Sequence, residues 1–164
     1  VTVNQLFNGM TGTTFEPNTS MDRAMMVTVL YRMDGDTGSY SHPFNDLRSG
    51  AYYVKSVAWA SSKNIVKGMT PTSFSPTGQI TREQMAAILY RYAQYKGYDT
   101  SKRANLAGFS DADSVQKYAQ TAMQWAVAEG LITGTSPTTL DPAGSATRAQ
   151  VATILMRFCQ DVRQ

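Results

Sequence analysis

Apolar residues recur along this chain at helical spacing, in blocks separated by polar stretches. Met26, Val29, Leu30 and Met33 fall at i, i+3, i+4 and i+7; Met85, Ile88, Leu89 and Tyr92 repeat that series, as do Val151, Ile154, Leu155 and Phe158. A stripe of this width predicts an amphipathic α-helix with one face toward a core. Three equal stripes most economically pack against one another. The start signals agree, since Thr81 with Gln84 and Thr147 with Gln150 form capping boxes, and Asp22 takes the N-cap place in the first copy. Two more helices are predicted over 53–64 and 118–129, ended by Asn64 and Gly130, residues that accept the left-handed backbone after a helix. The stretches 34–42 and 96–107 are rich in Gly, Ser, Asp and Thr and read as linkers.

These helices belong to a repeat. GMTGTTFEPNTSMDRAMMVTVLYR from Gly9, GMTPTSFSPTGQITREQMAAILYR from Gly68 and GTSPTTLDPAGSATRAQVATILMR from Gly134 align without a gap. A preceding half, PFNDLRSGAYYVKSVAWASSKNIVKG from Pro43 and GFSDADSVQKYAQTAMQWAVAEGLITG from Gly108, occurs only before the second and third copies. The chain therefore reads as two and a half repeats: 1–33 as the second half of the first, 43–95 as the second and 108–160 as the third. The constant loop length between the helices of a repeat predicts an ordered connector pinned by Phe15, Phe74 or Leu140.

Composition narrows the function. With 42% hydrophobic and 16% charged residues the chain suits a folded domain, and a net charge of +3 is too slight and scattered for a nucleic-acid stripe. One cysteine, Cys159, and one histidine, His42, cannot supply a usual zinc site or an internal disulfide, so no metal or cofactor is expected. No run of eighteen apolar residues predicts a membrane span. No nucleophile and base stand in a recognisable constellation, which argues against an enzyme. The loops between helices are too long for a helix-turn-helix.

The residues with most chemical content are arginines. Arg23, Arg82 and Arg148 each follow a helix N-cap, where a cation opposes the positive end of the helix dipole and needs compensation. Two compensations are open: an internal partner such as Asp46 or Asp111, or a bound carboxylate or phosphate held by the guanidinium together with first-turn N–H groups. Arg32, Arg91 and Arg157 lie toward the far ends of the same helices, where a cation suits the dipole, and read as structural. Trp59 and Trp125 occupy one repeat position, either in the core or at a rim against a ligand.

The pattern F-N-D…W-A…G…F-S-P…I-T-R-E-Q-M-A-A-I-L-Y-R resembles the S-layer homology domain over nearly the whole chain. That resemblance implies an all-α, pseudo-trimeric, three-pronged arrangement of helix-loop-helix repeats around a central three-helix bundle. It implies a non-catalytic anchor that binds secondary cell-wall polysaccharide, often carrying pyruvylated amino sugars, in grooves between prongs outside a bacterial cell, at its wall or S-layer. Carried over, Arg23, Arg82 and Arg148 would face the anionic sugar, Gly9, Gly68 and Gly134 would let the backbone approach it, and Trp59 and Trp125 would wall the groove. Asp46 and Asp111 of the F-x-D start complete the candidate set. A protein-binding or self-assembling module is the alternative, since repeat faces often serve partners, and a second copy could cover the half repeat's apolar surface.

Overall fold

A computed structural model describes residues 3–8 and 15–162. Six helices follow in order: α1 (Val3–Leu6), α2 (Arg23–Asp34), α3 (Val54–Ser62), α4 (Arg82–Tyr95), α5 (Gln120–Ala128) and α6 (Arg148–Asp161), with 3-10 turns at Ala112–Ser114 and Lys117–Ala119. Among the described residues there are isolated bridges but no strands, and the fold is all-α.

Local sequence sets the ends of these helices. Both capping boxes form: the Thr81 and Thr147 hydroxyls accept from the N–H groups of Gln84 and Gln150, whose side chains reach back to the cap N–H. Asp22 accepts from the Met25 N–H at 2.7 Å. Asn64 and Gly130 take positive φ (57° and 70°), and beyond them Ile65 donates to Ala60 O and Leu131 to Ala126 O, closing the ends of α3 and α5. The first helix of the third repeat, α5, starts later than its spacing predicts. The Lys117–Ala119 turn stands where its first turn was expected, and no side chain caps it.

Met26, Val29, Leu30, Met85, Ile88, Leu89, Tyr92, Val151, Ile154, Leu155 and Phe158 lie in the core as expected, while Met33, the last of the first stripe, is half-buried and packs against it. The three repeats are joined by a closed ring of backbone bonds just before α2, α4 and α6. Met21 N–H donates to Ala146 O (2.8 Å), Ala146 N–H to Ile80 O (3.3 Å) and Ile80 N–H to Met21 O (2.9 Å). These are one repeat position, used three times in rotation, and all three residues are fully buried. A ring of this kind satisfies three buried N–H groups without a sheet. Beyond it α2, α4 and α6 touch through Tyr92 and Phe158, with ring centroids 5.9 Å apart, and through Cys159 and Met33.

Of the other helices, α3 and α5 pack against the preceding repeat, α3 on α2 and α5 on α4, while α1 lies on α2 of its own repeat. Tyr31 meets Trp59 at the first of these contacts and Tyr90 meets Trp125 at the second. The equivalent residue of α6 is Met156, which is 47% exposed.

Candidate functional site

The loops between the helices of each repeat are built on one plan. Asp46 accepts from the N–H groups of Phe74 (2.9 Å) and Ser75 (2.7 Å) and from the Ser73 hydroxyl (2.9 Å); Asp111 accepts from the N–H groups of Leu140 and Asp141, both at 2.8 Å. Ser75 and Asp141 carry positive φ (58° and 51°), a conformation that costs a non-glycine residue energy and that the carboxylate holds in place. The F-x-D aspartates are thus loop clamps. Burial pushes the Asp46 carboxyl up, but the Phe74 and Ser75 N–H groups and the Ser73 hydroxyl pull it further down, below the usual 3.8. Asp111 is lowered by the Leu140 and Asp141 N–H groups, with Arg82 adding to the effect.

A group whose pKa is depressed by folding lends stability that is full above its unfolded value and lost as pH falls through the folded one. Asp46→Asn and Asp111→Asn are therefore expected to lower the urea midpoint at pH 7, with a deficit that is smaller at pH 3. Burial pushes Asp22 the opposite way, so the comparison of variants reads the clamps where the whole chain's acid curve would not. Equal deficits at both pH values would refute the clamp.

Each loop then receives the arginine of the preceding repeat. Arg23 Nε donates to Phe74 O (2.9 Å) and its Nη2 to Lys67 O (3.0 Å); Arg82 Nε donates to Leu140 O (2.8 Å); Arg148 Nη1 donates to Phe15 O (3.1 Å) and stands 3.6 Å from Glu16. Repeat 1 holds repeat 2, repeat 2 holds repeat 3, and repeat 3 holds repeat 1. The helix starts are tied the same way. The N–H groups of Arg23, Arg82 and Arg148 donate to Gly78 O, Gly144 O and Thr19 O, and those of Ala24, Glu83 and Ala149 to Pro76 O, Pro142 O and Pro17 O. The expectation of free first-turn N–H groups beside each arginine is thereby corrected, because carbonyls of the neighbouring loop already occupy them. The internal partner is also different in kind. The aspartate holds the N–H of Phe74 or Leu140 while the arginine holds the carbonyl of that same residue, so the two charges act through one peptide unit.

The arginines themselves are buried, with 4–6% exposure. Burial works against the charge of Arg82, offset in part by Asp141 and Asp111. Its Nη groups have no hydrogen-bond partner among the described residues, and it lines a cavity of about 310 Å³ with Leu131, Ile132, Thr133, Gly134, Ala149, Gln150, Thr153, Ile154 and Arg157. The cavity thus lies between repeats 2 and 3. It brings together two of the sequence candidates, Arg82 and Gly134.

The remaining candidates lie elsewhere. Trp59 and Trp125 are fully buried, so the core position holds and the rim position is corrected: each indole is covered by the helix of the preceding repeat. Gly68 and Gly134 are needed by the loop itself. A Cβ at Gly134 would stand 2.7 Å from Ser136 O and Thr139 O at φ +91°, and one at Gly68 would meet Thr70 O, Ser73 O and the Phe44 ring. Gly9 lies outside the described residues.

Two tyrosines escaped the sequence reading of the site. Tyr118, half exposed, lies near Glu83, Arg91 and Arg23; Tyr52 lies near Asp22, Arg32 and Arg148, and burial together with Asp22 pushes its hydroxyl up to about 12. Each stands on one repeat beside the arginines of the other two. Their match at one repeat position was visible; the arginines opposite them were not, because these come from other repeats. Among the described residues no group of His, Cys, Asp and Glu could hold a metal ion, and no helix is long and apolar enough to cross a membrane.

Comparison with known proteins points one way. The S-layer homology domain profile matches residues 43–86 and 108–152. An endoglucanase of Bacillus sp. (strain KSM-635) is 33% identical over 152 residues, covering 92% of this chain and 16% of that protein. The surface-layer 125 kDa protein of Lysinibacillus sphaericus is 28% identical over 156 residues, covering 90% and 12%. The cellulosome-anchoring protein of Acetivibrio thermocellus is 26% identical over 157 residues, covering 91% and 34%. The chain thus spans about a third or less of the length of each.

Proposed function

Because the chain belongs to the S-layer homology domain family, we propose that it is a non-catalytic module that anchors a larger exported polypeptide at the bacterial cell surface. Its ligand in this reading is an anionic secondary cell-wall polysaccharide bearing a ketal-linked pyruvate. Relatives named as an endoglucanase, a surface-layer protein and a cellulosome-anchoring protein share this segment while covering it with only part of their length. A portable surface anchor accounts for that distribution better than a shared reaction does.

The observation that carries the polysaccharide reading is the cavity between repeats 2 and 3. Arg82 is 6% exposed and fixed at Nε by Leu140 O, and its remaining donors face no protein acceptor among the described residues. A guanidinium held rigid in this way loses little further entropy on gripping a carboxylate. Gly134 lines the same cavity.

The test is calorimetric titration of the chain with purified secondary cell-wall polysaccharide before and after mild acid removal of pyruvate. Binding is expected to be lost with the pyruvate. Arg82→Ala is expected to weaken it by about 10- to 100-fold, the equivalent of one charge-assisted hydrogen bond of roughly 1.5–3 kcal/mol. Equal binding of both polymers would remove the carboxylate from the reading.

A further inference from the structure

Arg32, Arg91 and Arg157 share one repeat position, and the structure uses them differently. Arg32 is closed onto its own repeat: its Nη1 donates to Leu6 O at 2.8 Å and to Asn8 O at 2.5 Å. The residues equivalent to Leu6 and Asn8 in the third repeat are Leu131 and Thr133. Arg157 lies against that same stretch, since Leu131, Ile132 and Thr133 line the cavity with it, yet it has no hydrogen-bond or ion-pair partner among the described residues. Nor does it serve the helix end as the sequence suggested, because α6 runs on to Asp161 and has no basic residue in its last turn.

The charged residues that line the cavity are all of one sign, while Asp111 and Asp141, which offset Arg82 in part, lie outside its lining. Two guanidiniums line a space of about 310 Å³, and none of the other lining residues is acidic; Thr133, Thr153 and Gln150 supply neutral polar groups. Burial works against the charge of Arg82, and both guanidiniums carry donors with no protein acceptor among the described residues. One anion between them would relieve both. The space matches the lower range of small-ligand sites, room for a single sugar residue.

We propose that Arg157 is a second ligand contact and a determinant of specificity, so that the cavity between repeats 2 and 3 clamps one carboxylate-bearing sugar residue between Arg82 and Arg157, with Thr133, Thr153 and Gln150 facing its hydroxyls. This rests on the polysaccharide-anchor reading and adds to it the number of cations on the ligand and the residue that supplies the second. A neutral sugar would leave both guanidiniums unpaired, and the site discriminates against it for that reason.

The experiment compares wild type, Arg157→Gln and Arg32→Gln, titrating each with native and with depyruvylated polysaccharide and recording Tm. Arg157→Gln is expected to keep the wild-type Tm within about 2 °C and to lose about tenfold or more in affinity for the native polymer, while neither it nor the wild type binds the depyruvylated one. Arg32→Gln, which removes two loop bonds, is expected to lower Tm. Should Arg157→Gln lose Tm, Arg157→Lys decides: it keeps the charge without the planar fork and is expected to bind between the other two. Wild-type affinity in both Arg157 variants would overturn the second contact while leaving the Arg82 reading in place. Failure of the wild type to bind either polymer would overturn the anchor reading and the clamp with it.

Discussion

Trp59→Ala is expected to destabilise the protein by about 3–5 kcal/mol, the range for removing a fully buried large aromatic side chain. The indole has no exposed surface and stands where three helices of two repeats meet: 5.5 Å from Tyr31 on α2, and 6.3 and 6.2 Å from Tyr92 and Tyr95 on α4. Its loss would leave a cavity bounded by side chains that α2 and α4 already fix, so the site has little room to collapse. At roughly 2–4 °C per kcal/mol for a chain of this size, Tm should fall by about 6–20 °C. Urea unfolding followed by far-UV circular dichroism reads the effect. A variant with wild-type Tm and weakened glycan binding would return Trp59 to a groove wall and sink the core assignment.

The second large effect is expected at Arg23. Its guanidinium makes two charge-assisted bonds, to Phe74 O and Lys67 O, and lies 4.7 Å over the Phe74 ring. Each such bond is worth roughly 1.5–3 kcal/mol, so Arg23→Ala is expected to cost about 3–6 kcal/mol; Arg23→Lys is expected to cost less because it keeps a cationic donor, but not nothing, because an ammonium on a flexible stem cannot reproduce the fork. The loss should fall on the tie between repeats 1 and 2. Hydrogen exchange would show it as faster opening of α2 and of the loop around Phe74 together. An unchanged urea midpoint in Arg23→Ala would mean that the guanidinium does no structural work and would hand the residue back to ligand binding. Arg82, with one hydrogen-bonded tie where Arg23 has two, is expected to lose less stability and more affinity.

That contrast explains how three residues at one repeat position came to have unequal uses. In the sequence Arg23, Arg82 and Arg148 are indistinguishable: each follows a cap, and each opposes the helix dipole. The need for compensation was legible because it arises within one helical turn. The compensator was not, since the carbonyls of Phe74, Leu140 and Phe15 lie 51, 58 and 133 residues away.

What the sequence determined by itself is everything settled within a few residues: the register of the repeats, the apolar stripes, the caps at Asp22, Thr81 and Thr147, and the left-handed ends at Asn64 and Gly130. Those depend on side chains within reach of one turn of backbone, so spacing is sufficient to read them. The tertiary structure decided the rest. The ring through Met21, Ile80 and Ala146, the occupied N–H groups at the helix starts, the burial of Trp59 and Trp125, and the pairing of Arg82 with Arg157 around one cavity all depend on which repeat sits beside which. Local composition is nearly the same in each repeat and does not encode that choice; closing the chain on itself does, because only then does every loop acquire a neighbour's helix.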